Sequence, residues 1–151
     1  MQGKYLPISR EKVPQDAVAA ILIRENGQLV MQLRDNNPKI FYPNHWGCFG
    51  GAIDSGESEV EACKREIEEE LCIQINELFL FTTLYLDFSV LGHGKVSRTY
   101  FICRLSNFEY ENIVLNEGSA IQSFDGIELL SEALVTPYDS FVLAQYLALQ
   151  K

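Results

Sequence analysis

The sequence predicts an α/β fold, a sandwich in which a mixed β-sheet lies between helices. Apolar, β-branched runs and helical patterns follow one another in the order strands, central helix, strands and terminal helix. The chain has 151 residues and is 47% hydrophobic, which suffices for one compact domain with its own core and is too short for two ordinary domains. We therefore expect a single domain over residues 1–151, with residues 1–15 as a polar leader segment.

The first predicted element is a β-hairpin. Residues 17–23 are apolar and β-branched, residues 25–28 contain the turn dipeptide Asn-Gly, and residues 29–33 resume the apolar pattern. Residues 34–47 are rich in Asn, Pro and aromatic residues, which indicates an ordered loop before a short strand. Such a loop can form one wall of a pocket.

The central helix has a clear start signal. Ser58 and Glu61 have the spacing of a capping box, and the pattern predicts a helix over residues 59–71. At about 100° per residue, its surface carries two stripes. The apolar stripe consists of Val60, Cys63, Ile67 and Leu71. The acidic stripe consists of Glu66, Glu69 and Glu70. The helix is thus expected to pack on the sheet and to present carboxylates at its margin.

The rest of the chain extends the sheet and closes with a helix. Aromatic and β-branched residues predict strands over 78–87 and 99–105. Residues 106–125 are polar and contain glycine, and residues 127–134 indicate a short strand and turn. Apolar spacing over residues 138–149 predicts the terminal helix.

The overall charge argues against several classes of partner. The formal net charge is −9, which disfavours binding to nucleic-acid polymers and anionic membranes, because both require clustered Lys and Arg. A small anionic substrate would then need metal ions as intermediaries. The first residues lack a signal-peptide pattern, and no run approaches the roughly 20 apolar residues of a membrane span. We expect a cytoplasmic protein.

The nucleophile and base chemistry of thiols and imidazoles has little support in the sequence. Cysteines stand at four scattered positions without a C-x-x-C pair: Cys48, Cys63, Cys72 and Cys103. Reduced and mostly buried thiols are expected. The only histidines, His45 and His93, are not near a cysteine in a nucleophile-like motif. Carboxylates are therefore expected to carry the chemistry.

The acidic stripe of the central helix indicates a metal site. Glu66, Glu69 and Glu70 lie three and four residues apart, so their Cβ atoms come within about 5–6 Å of one another and the carboxylates repel unless a cation lies among them. Magnesium prefers such oxygen ligands. The alternative, a solvated acidic helix face, is common in Glu-rich helices but leaves the nearby glycine and arginine unexplained.

The spacing around this helix resembles the Nudix box of MutT-like pyrophosphohydrolases. The matching positions are Gly51, Glu57, Arg65, Glu66, Ile67, Glu69, Glu70 and Ile73. One position departs from the pattern, because Cys72 stands where the family carries glycine. The resemblance implies a Nudix-type α/β/α sandwich and a hydrolase acting on acid anhydrides in phosphorus-containing compounds.

The resemblance also implies roles for individual residues. The implied Mg²⁺ ligands, with Mn²⁺ as a substitute, are the Gly50 carbonyl, Glu57 as a supporting or water-mediated ligand, Glu66, Glu69 and Glu70. Arg65 would hold a box glutamate in place through an ion pair. The general base comes either from the box, from Glu66 or Glu69, or from a loop outside it. The candidate in that loop is Glu117, which resembles an extra metal-binding carboxylate of MutT-like enzymes.

Substrate recognition leaves more alternatives. The aromatic residues before the box, Phe41, Tyr42 and Trp46, could stack on a nucleobase, although such residues often serve only loop packing. Four basic residues are candidate phosphate or sugar contacts: Arg34, Lys39, Lys95 and Arg98. Of these sets, Arg34, Trp46 and Arg98 are our substrate-binding candidates.

The function that the resemblance implies is Mg²⁺-dependent cleavage of a phosphoanhydride bond in a nucleoside diphosphate linked to another group, either a nucleotide sugar or a nucleoside triphosphate. Residues that accompany ADP-ribose and dinucleoside-polyphosphate specificity in the family are absent. Two alternatives stay open: a catalytically silent Nudix-fold module that binds nucleotides or regulates, and an isomerase acting on prenyl diphosphates. The expected partner is a small-molecule nucleotide, and a homodimer is compatible with the family.

Overall fold

The computed structural model describes residues 13–150. The predicted leader therefore lies mostly outside the described residues. The strands are β1 Ala17–Arg24, β2 Leu29–Leu33, β3 Trp46–Gly47, β4 Phe49–Ala52, β5 Phe79–Asp87, β6 Lys95–Leu105 and β7 Ala120–Phe124. The α-helices are α1 Glu59–Leu71, α2 Asn107–Glu111, α3 Gly126–Glu132 and α4 Pro137–Ala148. The predicted hairpin, central helix and terminal helix are confirmed to within two residues.

All seven strands form one mixed sheet around β1. This strand runs parallel to β6 along its whole length and antiparallel to β2 at its end, where Leu22 pairs with Val30. Along the same edge, the first half of β1 pairs with β4, with Ala19 opposite Gly50. The strands β1 and β2 therefore diverge, and the chain through β3 and β4 enters the gap between them. Gly50 and Gly51 lie on β4 in this gap, paired with Ala19 and Val18 of β1.

The two faces of the sheet bury separate apolar clusters. Successive residues of β1 alternate between them, because strand side chains point to opposite faces. Val18 and Leu22 pack with Ile67 of α1, whereas Ile21 packs with Leu143 of α4. Helices thus cover both faces, and the predicted α/β/α sandwich is confirmed.

Helix α1 begins with the predicted capping box. The Ser58 side chain accepts a hydrogen bond from the Glu61 backbone, and the Glu61 carboxylate accepts one from the Ser58 backbone. The apolar stripe is shifted from its predicted position, because Val60 is 42% exposed whereas Ala62 is completely buried. The first turn of α1 lies over β6, where the Thr99 hydroxyl donates to the Glu59 carboxylate at 2.7 Å, and Ala62 faces the core in place of Val60.

Two predictions for the second half of the chain were wrong or incomplete. Residues 127–134 were expected to form a strand and turn, but α3 occupies most of this stretch, with Asp125 accepting hydrogen bonds from the backbone of Ile127 and Glu128. For residues 106–125, described only as polar and containing glycine, no element was predicted, but they include α2 and β7. Both segments are short, and pairing of β7 with β2 depends on contacts about 90 residues apart in the chain, which local patterns do not report.

The thiols are in the state that the sequence predicts, free and mostly buried. All four cysteines are free thiols, and Cys72 is the exposed one. Within residues 13–150, none of the helices has the length and apolar character needed to cross a bilayer.

Candidate functional site

Arg65 is the centre of an ion-pair network beneath the first turns of α1. Its Nε and Nη2 atoms donate to the two carboxylate oxygens of Glu57 at 2.6 and 3.0 Å. Its Nη1 atom donates to Glu66 at 2.8 Å and to Glu69 at 3.2 Å, and Nη2 also donates to the Ala52 carbonyl at 3.0 Å. The bidentate pairing with Arg65 lowers the pKa of Glu57. One guanidinium thus fixes three carboxylates and the end of β4.

Glu70 is a buried carboxylate with few partners. It is 3% exposed and accepts a hydrogen bond from the Gly50 backbone N–H at 3.0 Å. Burial, and to a smaller extent the negative charges of Glu66 and Glu117, together raise the pKa of Glu70 to about 8. Burial also raises the pKa of Glu66. A cation bound here would displace the proton that Glu70 holds at neutral pH.

Gly50 and Gly51 of β4 allow the backbone to approach these carboxylates. Gly50 has φ +152°, and a Cβ atom there would overlap the Val18 carbonyl oxygen. At Gly51, a Cβ atom would lie 2.5 Å from the carboxylate of Glu66. Any larger residue at either position would displace strand β1 or the acidic cluster, which explains why two glycines stand here.

Glu117 lies in a loop that is tied to the end of α1. The neighbouring Asn116 donates its backbone N–H to the Glu70 carbonyl at 2.8 Å and its side-chain amide to the Glu69 carbonyl at 3.0 Å. On the other side, the Ser119 N–H donates to the Leu33 carbonyl at 2.8 Å. These bonds place Glu117 on the wall of the same cavity as Glu70.

The donor atoms of this cluster are of the kind that a hard divalent cation binds. Every donor is an oxygen, from carboxylates or from the Gly50 carbonyl, and these are the donors that Mg²⁺ takes. In the described part of the chain, no three acidic, histidine or cysteine side chains converge on one point in ligating geometry. Arg65 and the Gly50 N–H hold the carboxylates instead. Glu69, 57% exposed in its side chain, has room to turn toward its neighbours.

A cavity of about 1110 Å³ opens beside the acidic cluster. One end is lined by Gln32, Gly50, Gly51, Glu70 and Glu117. The other walls are formed by the loop after β2, the β5–β6 hairpin and the first turn of α4. Its size suits a ligand as large as a nucleotide, since small-molecule sites commonly have volumes of about 300–1,000 Å³.

The three substrate-binding candidates differ in position. Arg34 lines the cavity, and its Nε donates to the Phe41 carbonyl at 2.8 Å. Arg98 also lines the cavity. Trp46 is not among the lining residues, and its ring packs edge-on against Phe124 at 5.0 Å between centroids. The Trp46 ring therefore belongs to the apolar cluster beneath α4 and not to the cavity wall.

Sequence reasoning missed two polar residues of this site. Asp139 is 1% exposed within the apolar helix α4, and Gln32 is buried within the apolar strand β2. Asp139 accepts hydrogen bonds from the Cys48 backbone N–H, the Tyr100 hydroxyl and Arg98. The sequence offered the same signal for Asp139 and for Gln32, because each is a single polar residue within an otherwise apolar segment.

Comparison with protein-family models gives one match. The NUDIX domain model matches residues 13–143 of the chain. A search of curated protein sequences found no match.

Solved structures with the same fold cover nearly the whole chain. A MutT NUDIX hydrolase from Burkholderia pseudomallei has a TM-score of 0.71 and 22% identity, with 89% of this chain and 98% of that chain covered. A MutT protein from Methanosarcina mazei Go1 has a TM-score of 0.74 and 17% identity, with 93% and 99% covered. The NUDIX domain of Shewanella oneidensis NrtR, solved with ADP ribose, has a TM-score of 0.71 and 17% identity, with 93% and 90% covered.

Proposed function

The chain belongs to the NUDIX family of hydrolases that act on phosphoanhydride bonds, and we propose that it is a Mg²⁺-dependent pyrophosphohydrolase. Its substrate is a nucleoside diphosphate linked to another group, of the nucleotide-sugar or nucleoside-triphosphate class. The observation that carries this proposal is the position of the buried Glu70, with the partly buried Glu66 beside it, next to Gly50 and Gly51 of β4 at the end of a nucleotide-sized cavity that Glu70 lines.

The metal would be held by the oxygen donors of this cluster. Glu66, Glu69 and Glu70 supply carboxylates, and Gly50 supplies its carbonyl, with Glu57 as a supporting carboxylate and Glu117 as an additional ligand from the loop. When bound, Mg²⁺ neutralises substrate phosphates and lowers the pKa of a coordinated water. Loss of a proton from Glu70 would accompany binding, because its raised pKa of about 8 favours the neutral form at neutral pH in the free protein.

Arg65 acts as a positioning residue in this proposal. Its planar guanidinium makes two parallel bonds to Glu57 and still reaches Glu66, so it fixes the direction of carboxylates that would otherwise repel one another. The attacking water needs a base within hydrogen-bond reach. Glu69 and Glu66 in the box, and Glu117 in the loop, are the candidates; Glu117 faces the cavity and is supported by Asn116.

Substrate contacts are proposed for the arginines of the cavity. Arg34 has no carboxylate partner within salt-bridge distance among residues 13–150, so it offers a cation to a phosphate. Arg98 contacts a more distant part of the substrate. The Trp46 ring is not proposed as a contact, because it packs against Phe124.

The test is a hydrolysis panel under controlled metal conditions. Nucleotide sugars, ADP-ribose, dinucleoside polyphosphates and nucleoside triphosphates are incubated with the protein in Mg²⁺, in Mn²⁺ and in chelator, and phosphate and nucleotide release are followed. We expect hydrolysis of one group in Mg²⁺, partial activity in Mn²⁺ and loss in chelator. Full activity in chelator contradicts the metal assignment.

The panel also separates this proposal from a catalytically silent binding module. Such a module would bind a nucleotide in calorimetry without product release under any metal condition. All three box glutamates of α1 are present in this chain, which favours the enzyme.

A further inference from the structure

Gln32 is a buried polar residue at the acidic end of the cavity. It lies within the apolar strand β2, is 5% exposed, and lines the cavity together with Glu70. Burial of an amide costs free energy unless its N–H groups and its oxygen find hydrogen-bond partners. An apolar side chain would fill the same strand position without that cost. The partners of this amide therefore show what its burial achieves.

The amide nitrogen of Gln32 serves two acceptors on neighbouring elements. It donates to the Cys48 carbonyl at 3.3 Å, and the side chain also forms a hydrogen bond with the Glu70 carboxylate. A primary amide has two N–H donors, so one is available for each acceptor. Gln32 thus connects the chain just before β4 to the last turn of α1.

The amide oxygen of Gln32 faces the loop that carries Glu117. A Cβ atom on Gly118 would lie 3.0 Å from this oxygen and 3.0 Å from the Leu33 carbonyl oxygen. Gly118 also has φ +84°, a conformation that favours glycine. The loop therefore packs closely against the amide and leaves it little room to turn away from Glu70.

Glu70 is held by a different device from its neighbour on α1. Arg65 donates to Glu66 at 2.8 Å, whereas the donors to Glu70 are the Gly50 backbone N–H at 3.0 Å and the Gln32 amide. The terminal torsion of a glutamate is broad, so one hydrogen bond leaves the carboxylate free to rotate. A second donor fixes its plane. Such support is what orients a carboxylate that ligates a metal.

We propose that Gln32 is a positioning residue for the metal site: its amide orients the Glu70 carboxylate so that this ligand meets a divalent cation in a fixed direction. The inference rests on the proposed function, because it assumes that a divalent cation binds the acidic cluster. It concerns binding of the cation by the protein alone, so it is tested without a substrate.

The first test replaces Gln32 by Met. Methionine is unbranched and of similar length but has no N–H donor. Mn²⁺ alone is the probe, and its dissociation constant is measured by calorimetry without nucleotide. We expect binding to weaken about 10–100-fold. Gln122→Met, at an exposed glutamine of the adjacent strand β7, is the matched control and should leave the constant unchanged. Wild-type affinity in Gln32→Met, or no binding of Mn²⁺ by the wild type, overturns the proposal.

A double-mutant cycle separates positioning from a general structural role. If Gln32 acts through Glu70, then Gln32→Met added to Glu70→Gln should change the Mn²⁺ dissociation constant by no more than about twofold. Equal weakening in both backgrounds means that the amide supports the strand and not Glu70, which overturns the proposal. If Glu70→Gln binds too weakly to measure, Glu70→Asp replaces it, because aspartate keeps the charge but withdraws it from Gln32.

A second variant keeps the test decisive if Gln32→Met does not fold. Gln32→Asn retains the amide on a shorter side chain that does not reach Glu70, so the same loss of Mn²⁺ affinity and the same cycle are expected.

Failure of the proposed function has a different signature. If Mn²⁺ binds and the cycle shows coupling, but no substrate of the panel is hydrolysed in Mg²⁺, the proposed hydrolysis is wrong and the role of Gln32 stands. If hydrolysis requires Mg²⁺ but the cycle is additive, the role of Gln32 is wrong and the proposed function stands.

Discussion

The carboxylates of the acidic cluster differ in pKa because their surroundings differ. Glu57 is held as an anion by Arg65, which lowers its pKa, whereas burial raises the pKa of Glu70 to about 8. The two residues are therefore suited to different tasks. Glu57 keeps a fixed ion pair, and Glu70 is able to exchange a proton for a cation.

Replacement of Glu70 by Gln tests its assignment as a metal ligand. The change keeps the shape and an acceptor for the Gly50 N–H but removes the ligand charge, so we expect the fold to persist. Catalytic efficiency should fall by more than about 100-fold, since loss of even a supporting group of a metal ligand costs about 10–100-fold. The loss is measured as the steady-state rate of hydrolysis of the substrate that the hydrolysis panel identifies. Glu68→Gln, an exposed residue of the same helix, is the matched control, and wild-type turnover in Glu70→Gln would rule out the assignment.

Replacement of Arg65 by Lys tests whether the geometry of the guanidinium matters beyond its charge. A lysine cannot make the two parallel bonds to Glu57 and reach Glu66 at once. We expect the affinity for Mg²⁺ to fall about 10–100-fold, as measured by a Mg²⁺ titration of activity. Arg104→Lys, on the exposed side of β6, should leave the titration unchanged. An unaltered titration in Arg65→Lys would show that charge alone suffices.

At the scale of elements, α1 joins the core and the candidate site. Its buried face includes Ile67 and Leu71, and its end supports the loop of Glu117 through the carbonyls of Glu69 and Glu70. The helix ends at Cys72, which has a left-handed conformation with φ 55°. This is the position at which the family pattern has glycine, the residue that adopts such a conformation without strain.

Restoring glycine at the end of α1 should stabilise the protein. Cys72 is exposed and its backbone is left-handed, so Cys72→Gly removes strain without leaving a cavity. We expect a gain of about 0.5–1 kcal/mol in the free energy of unfolding, measured by urea denaturation. Gln74→Gly serves as the control, because Gln74 is exposed but lacks a positive φ, and it should destabilise slightly. A loss of stability in Cys72→Gly would indicate that the thiol makes a stabilising contact.

The whole molecule couples its stability to the protonation of the acidic cluster. A carboxyl group whose pKa is higher in the folded state than in the unfolded state binds protons more tightly when folded. Its contribution to stability is fully present below the unfolded pKa of about 4.3 and is lost as the pH rises through the folded pKa. For Glu70 the folded pKa is about 8.

This linkage predicts a pH dependence for the metal-free protein. Between about pH 5 and pH 8, wild type should lose stability relative to Glu70→Gln, by up to about 1.4 kcal/mol per pH unit. Urea denaturation at several pH values in chelator measures the difference. Added Mg²⁺ should stabilise wild type more at pH 8 than at pH 6, because the deprotonated carboxylate is the ligand. Parallel pH profiles for the two proteins would show that Glu70 titrates normally.

Local patterns in the sequence determined the hairpin, the capping box of α1, the terminal helix and the spacing of Gly51, Arg65 and the box glutamates. These features depend on neighbours within a few residues, so periodicity and turn chemistry report them directly. The same patterns failed for Val60, which is exposed while Ala62 is buried, and for β7, which pairs with a strand distant in the chain.

Only the tertiary structure decided which side chains share the cavity. It separated Trp46, which packs against Phe124, from Arg34 and Arg98. It also joined Arg98 to Asp139, a residue 41 positions away, and buried Glu70 more deeply than Glu69 on the same helix. The burial of a side chain and its contacts on other strands arise from packing of the whole sandwich. They determine the pKa and the orientation of each charged side chain. The sequence alone could identify these residues as candidates but not their surroundings.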